Sequence, residues 1–158
     1  MGLAGPWPQG VRALAREGVV GREAVEPTER LWAFGTLIAN TDMHGGNLSF
    51  LGEPGPPPQL QLAPAYDMTC MAFAPTAGGD LPARDLNPTL SNEVPASAWQ
   101  GALPMAEDWL DRLRRSAALS AALSAGFAPC LDALTAHLDT ARSRIARLAS
   151  PRLPPTSW

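Results

Sequence analysis

LIANTDMHGGNLSF (residues 37–50) is an apolar, helix-like run that breaks into Asn40, Thr41, Asp42, His44, Gly45, Gly46 and Asn47 before a strand-like end. Working upstream, Thr28 is placed to cap a helix. Its apolar positions Leu31, Phe34 and Ile38 fall at i, i+3 and i+7, with Gly35 allowing close approach on the same face. That helix is expected to end near Asn40, where turn-forming residues take over. Downstream, LSFL (48–51) and QLQL (59–62) read as two short strands around the breaker GEPGPPP (52–58). The opening stretch therefore predicts helix, polar loop and hairpin, with an irregular Gly/Pro-bearing region from 75 to 95.

The remainder reads as helix. PMAEDWLDRLRR (104–115) puts Pro104 at a first turn, Glu107 and Asp108 early, and Arg112, Arg114 and Arg115 late, in keeping with the helix dipole. Its expected inner face is Met105, Trp109 and Leu113. AALSAALSAG (117–126) reads as another helix stopped at Gly126. A last one from about Pro129 carries Leu131, Leu134, Leu138, Ala141, Ile145 and Leu148, a narrow apolar seam expected to pack on its own domain. His137 beside that seam, and Trp99 and Trp109 earlier, read as packing residues. The fold class is α+β and mostly helical. The expected organisation is a short leader over 1–26, the remnant of an upstream region, then one domain over 27–150 and a frayed tail over 151–158.

The composition narrows the function. With 158 residues and 46% apolar content the chain can bury a core, and its net charge of −3 disfavours a sequence-independent nucleic-acid binder. All twelve positive side chains are arginine, so these residues include no lysine. Cys70 and Cys130 are far apart in sequence and have no paired metal-ligand spacing, which suits a reduced, cytoplasmic setting. MGLAGPWPQG has no cationic segment followed by an apolar core, and no run approaches membrane-spanning length.

The polar residues then form a chemical set. Asp42 and Asn47 lie five apart on a loop entering a strand, and a hairpin returns the chain so that Asp67 ends near Asn47. A carboxylate at 42 can take a proton from a hydroxyl nucleophile. An amide oxygen at 47 and a carboxylate at 67 are hard ligands for Mg²⁺, which keeps its other positions for water and phosphate. Phosphoryl transfer needs that division of roles. Each residue also has a plainer reading, because a lone Asp after a helix is commonly a cap or turn residue and Gly-Gly a bend. A zinc or iron hydrolase held by Asp42, His44 and Asp67 is a further alternative, short of a second convincing imidazole.

Asp-x-x-x-x-Asn followed by an Asp beyond the hairpin is similar to the protein-kinase catalytic loop and its metal-binding Asp. More closely, NTDMHGGNLSF (40–50) with LAPAYDM (62–68) resembles the C-terminal lobe of the HipA-like toxin kinases, nearest their YjjJ-type branch. Thr41, Asp42, His44 and Asn47 match the family's Thr-Asp-x-His-x-x-Asn, and Pro64, Tyr66 and Asp67 its Pro-x-Tyr-Asp, within a likeness covering about 27–148.

The resemblance implies a kinase-like lobe in which Asp42 contacts an acceptor Ser or Thr hydroxyl. Asn47 and Asp67 would hold Mg²⁺ on the ATP phosphates, and His44 would brace the loop or contact the reactants. Gly45 and Gly46 would take a left-handed turn, and Tyr66 would pack beneath Asp67. It also implies a translation-related protein substrate and a DNA-binding antitoxin partner. An upper lobe with its phosphate-positioning lysine does not fit into the residues before Pro27, so weak activity in isolation is expected. A non-catalytic interaction module that kept the fold is the alternative from another class.

Overall fold

The computed structural model describes residues 6–53, 60–80, 86–116 and 127–149. The hairpin tip at 54–59, the helix expected over 117–126 and the tail over 151–158 lie outside the described residues. Among those described, the order is α1 (Trp7–Arg16), α2 (Val25–Leu37), β1 (Phe50–Leu51), β2 (Gln61–Leu62), α3 (Ala96–Arg115) and α4 (Ala128–Ala149). Single 3₁₀ turns sit at Arg22–Ala24, Gly45–Asn47 and Met71–Phe73. The class is α+β and mostly helical, with β1 and β2 paired antiparallel in the register Phe50↔Leu62 and Leu51↔Gln61.

Helix α2 lies at the centre, packed against α1 and α3, and α4 closes on α3. It does not begin at a Thr28 cap. The chain enters it through the 3₁₀ turn Arg22–Ala24, and the fully buried Thr28 turns its hydroxyl back to the Ala24 carbonyl at 2.7 Å. A threonine inside a helix satisfies its hydroxyl in this way, which leaves no cap to make. Pro27 is tolerated because first-turn N–H groups have no partner within the helix in any case.

Helix α3 also begins earlier than expected, just after Pro95, so Pro104 is interior. Pro104 is exposed, so the Gln100 carbonyl that it leaves unpaired can turn to water. The earlier start rotates the buried face to Ala98, Trp99, Ala102, Ala106 and Leu110, leaving Met105 exposed and Trp109 and Leu113 at the margin. Four buried alanines on the α2 and α3 faces (Ala33, Ala98, Ala102 and Ala106) let the two axes approach closely. On α4 the seam holds for Leu134, Leu138, Ala141 and Ile145, all buried in the main cluster, while Leu148 is exposed.

The segment expected as a leader is packed. Val11, Val20 and Ala24 form a second buried cluster against which Phe50 of β1 and Leu60 of the hairpin rest. Trp7, fully buried, meets Trp32 of α2 edge-on, with ring centroids 5.7 Å apart. Arg12 reaches the buried carboxylate of Glu29 and the Glu93 carbonyl, tying α1 to α2 and to the loop before α3. Sequence reading saw a mild helix here; the two tryptophans and the Arg12–Glu29 pair are what dock it.

Candidate functional site

The loop begins with the way α2 ends. Ala39 takes φ +57°, the Asn40 N–H bonds the Gly35 carbonyl (2.9 Å) and the Ala39 N–H bonds that of Thr36 (3.2 Å). These two bonds are a Schellman termination, with alanine where glycine is usual. Having turned the corner, the chain places the side chain of Asn40 in the interior, 5% exposed. Its Oδ1 accepts from the Asp42 N–H at 3.0 Å and its Nδ2 donates to the Asp67 carbonyl at 3.3 Å. One buried amide therefore holds together the backbones of both sequence motifs. Sequence reading treated Asn40 as the residue where a helix stops; the available signal was a polar residue directly after a buried run and directly before Thr-Asp.

Asp42 and His44 project outward, their side chains 49% and 60% exposed. His44 Nδ1 accepts the Gly46 N–H at 3.0 Å, capping the 3₁₀ turn Gly45–Asn47. An accepting Nδ1 puts the proton of the neutral ring on Nε2, which lies 3.8 Å from Asp42 Oδ1. The glycines do not adopt the left-handed backbone expected of them. Gly46 is needed for space: a Cβ there would stand 2.8 Å from His44 Cε1. The His44 carbonyl accepts from Trp7 Nε1 at 2.8 Å, so α1 supports the loop directly.

Asn47 is oriented by a bond from its Nδ2 to the Asp42 carbonyl (2.8 Å), and among the described residues its Oδ1 has no hydrogen bond. The left-handed backbone appears instead at Asp67, φ +56°, an uncommon conformation for a residue with a Cβ. Tyr66, 42% exposed, is tied to the loop through its hydroxyl. It donates to the Gly46 carbonyl (2.7 Å) and so can only accept from Ser49 Oγ (2.8 Å). Gly35 makes room below: a Cβ there would meet Met43 Sδ at 2.2 Å and Met68 Cε at 3.0 Å, one methionine from each motif.

The loop and the Asp67 segment are thus joined twice, by Asn40 inside and Tyr66 outside, with Asp42 and Asp67 exposed around the junction and Asn47 half-buried. A cavity of about 250 Å³ lies beside Asp42 and His44, lined also by Trp32, Asn40, Thr41 and Met43. The zinc or iron alternative gains nothing from this arrangement. Among the described residues no three His, Cys, Asp or Glu side chains converge, and Cys70 and Cys130 are both free thiols. His137 is buried on α4, where Nε2 donates to the Thr36 carbonyl at 3.0 Å. No helix among the described residues is long and apolar enough to cross a membrane.

Comparison with known proteins identifies the family. The model of the HipA-like C-terminal domain matches residues 9–144, beginning inside the segment expected as a leader. The chain is 41% identical over 119 residues to Toxin YjjJ of Escherichia coli (strain K12). That match covers 75% of this chain and 26% of the relative, so the chain spans about a quarter of the protein it resembles. No solved structure matches. The matched span includes α2, the polar loop, the hairpin and both motifs, and on it the chain belongs to the HipA-like family, through that family's C-terminal domain.

Proposed function

We propose that this domain is the base-and-metal half of a serine/threonine protein kinase of the toxin–antitoxin type, working in the cytoplasm on a translation-related protein. The observation that carries the proposal is the buried Asn40 amide joining the Asp42 and Asp67 backbones. A turn that merely connected two elements would not need its backbone coupled to a residue 27 positions later. The fold is read as a kinase-like C-terminal lobe on the same ground.

The residues present fit magnesium. Asn47 Oδ1 and the exposed Asp67 carboxylate are hard oxygen donors, and the amide is already turned by its Nδ2 bond to Asp42. Bound there with ATP, the ion would neutralise charge on the transferred phosphoryl group. The chain's own part is positioning. Asp42 accepts the hydrogen bond of the acceptor hydroxyl and receives its proton as that oxygen bonds to the γ-phosphorus of ATP and the bond from that phosphorus to the departing ADP oxygen breaks. His44, held by Gly46, presents Nε2–H toward the same carboxylate and fixes the face it offers. These residues contain no lysine, so the α/β-phosphates of ATP are positioned from outside them, by an upper lobe.

The test is Asp42→Asn in a protein completed with an upper lobe. Phosphorylation of the acceptor is expected to fall by about 10²–10⁴-fold, the range of general-base contributions, with Mg-ATP affinity unchanged by calorimetry. Undiminished phosphorylation would remove Asp42 from its role. Absence of Mg-ATP binding with the upper lobe supplied would favour the interaction module, and a DNA-binding antitoxin would then be the partner to try.

A further inference from the structure

A cavity of about 900 Å³ opens between α1, the 3₁₀ turn at Arg22–Ala24 and the loop before α3. It shares no lining residue with the cavity at Asp42. Arg12, Arg16 and Arg22 line it together with Gln9 and Glu93, and the side chains between them are small, Ala13, Ala15 and Val25 among them. The volume is that of a small-molecule site and exceeds what a single ion needs.

Arginine pairing singles this cavity out. Elsewhere the described arginines are committed: Arg30 to Glu26, Arg112 to Asp108, Arg114 to Asp111, Arg115 to the Asp111 carbonyl, Arg142 to Glu107 and Asp139, and Arg144 to Asn87. Arg12, half-buried in the cavity wall, is offset by the buried Glu29 carboxylate and also bonds the Glu93 carbonyl. Arg16, Arg22 and Arg147 have no hydrogen bond or ion pair among the described residues, and the first two, both exposed, line this one cavity. Gln9 and the carboxylate of Glu93 are likewise without a partner among the described residues, although both stand in the same wall.

Two guanidinium groups without a counter-ion favour an anionic guest. Glu93 brings a carboxylate to the same cavity and pairs with neither of them, so their charge stays available. A phosphate monoester presents three oxygens to two guanidinium forks, where a carboxylate presents two. The lining contains no aromatic ring on which a nucleobase could stack. It offers instead an amide at Gln9 and a carboxylate at Glu93, groups that hydrogen-bond hydroxyls. We propose that this cavity is a binding site for a phosphorylated polyol of the sugar-phosphate type, with its phosphate on Arg16 and Arg22 and its hydroxyls on Gln9 and Glu93. Nothing in this site rests on the kinase reading.

The probes are glucose 6-phosphate, glucose and inorganic phosphate, each titrated into the full chain by calorimetry. Saturable binding is expected with glucose 6-phosphate, binding about tenfold weaker with inorganic phosphate, and none with glucose. No binding of glucose 6-phosphate would overturn the site. Glucose binding as tightly would remove the arginines as the selecting groups, and inorganic phosphate binding as tightly would overturn the polyol assignment. Arg16→Gln combined with Arg22→Gln should abolish binding with the melting temperature unchanged, because both side chains are exposed and unpartnered among the described residues. Retained binding would place the ligand elsewhere. Arg147→Gln is the control, an equally unpartnered arginine outside the cavity wall. It should leave binding as it is, whereas an equal loss would mean that overall charge and not this cavity attracts the phosphate. None of these readouts depends on phosphoryl transfer or on Asp42, so failure here and failure of the kinase reading are separately visible.

Discussion

Beneath the polar loop lie a buried amide and a buried indole; above it stand two carboxylates and an imidazole open to solvent. Asn40 and Trp7 spend their hydrogen bonds on backbone atoms of Asp42, His44 and Asp67. Asp42, by contrast, has among the described residues only the 3.8 Å approach of His44 for its carboxylate. Backbone support and solvent-facing polar groups are therefore supplied by different residues in one short segment. The floor fixes where the chain runs, and the groups on top remain free to meet a ligand. An ordinary turn uses its own Asp and Asn side chains to satisfy itself locally, and so leaves nothing free.

That contrast can be broken from below. Asn40→Ala leaves the Asp42 N–H and the Asp67 carbonyl without their shared partner and is expected to cost about 2–3 kcal/mol in chemical unfolding. Hydrogen exchange should accelerate at residues 40–47 and 66–68 together, because one amide serves both. Separate behaviour of the two segments would show that Tyr66 and not Asn40 couples them. Trp7→Phe keeps most of the ring against Trp32 and removes only the donor to His44; about 1–2 kcal/mol is expected by the same measurement. Asp42→Asn, on top, should leave stability within about 0.5 kcal/mol, as exposed substitutions generally do.

The two histidines sharpen the comparison through pH. His137 is held neutral by burial, so its folded pKa lies below the ordinary 6.5 while the unfolded chain titrates near that value. Between the two the unfolded state binds more protons, and stability rises with pH across that window. Melting temperature should therefore fall as pH drops below about 6.5, and His137→Gln should flatten the slope. His44→Gln is the control on the exposed side. The chain has only these two histidines, and an equal flattening by His44→Gln would assign the pH dependence to the loop.

How much of this was legible in the sequence follows the same division. The residues on which the proposed chemistry rests, Asp42, His44, Asn47 and Asp67, were picked out by their spacing around a hairpin, and α2, the hairpin and the α4 seam follow from periodicity and breakers. What was not readable depended on partners distant along the chain. Trp7 bonds a carbonyl 37 residues away and Asn40 one 27 residues away; no local pattern marks Trp7, and the polar residue after an apolar run that marks Asn40 does not name its distant partner. Helix starts also failed locally. Thr28 and Pro104 carry strong terminal preferences, but the helices containing them begin three and eight residues earlier, at Val25 and Ala96, because tertiary burial of Ala98 and Trp99 in α3, and of Ala24 just ahead of α2, outweighs a cap.

The smallest effect offers the finest test, since Ala39 and Asp67 share one backbone conformation, φ +57° and +56°, on opposite sides of the divide. Glycine at either position relieves left-handed strain of about 1–2 kcal/mol and adds back about 0.5–1 kcal/mol of unfolded-state entropy. For Ala39, which is buried, glycine also removes a packed methyl worth about 0.8 kcal/mol, so the three terms nearly cancel and Ala39→Gly should change stability by under about 0.5 kcal/mol. Asp67 is exposed and loses no packing, so Asp67→Gly should stabilise the chain by about 0.5 kcal/mol while removing the carboxylate proposed for magnesium. A gain at 67 with none at 39, measured by paired chemical unfolding, would mean that the strain at Asp67 is retained for its side chain and that at Ala39 for its packing. A loss at 67 would mean that the carboxylate itself supports the fold and belongs to the floor.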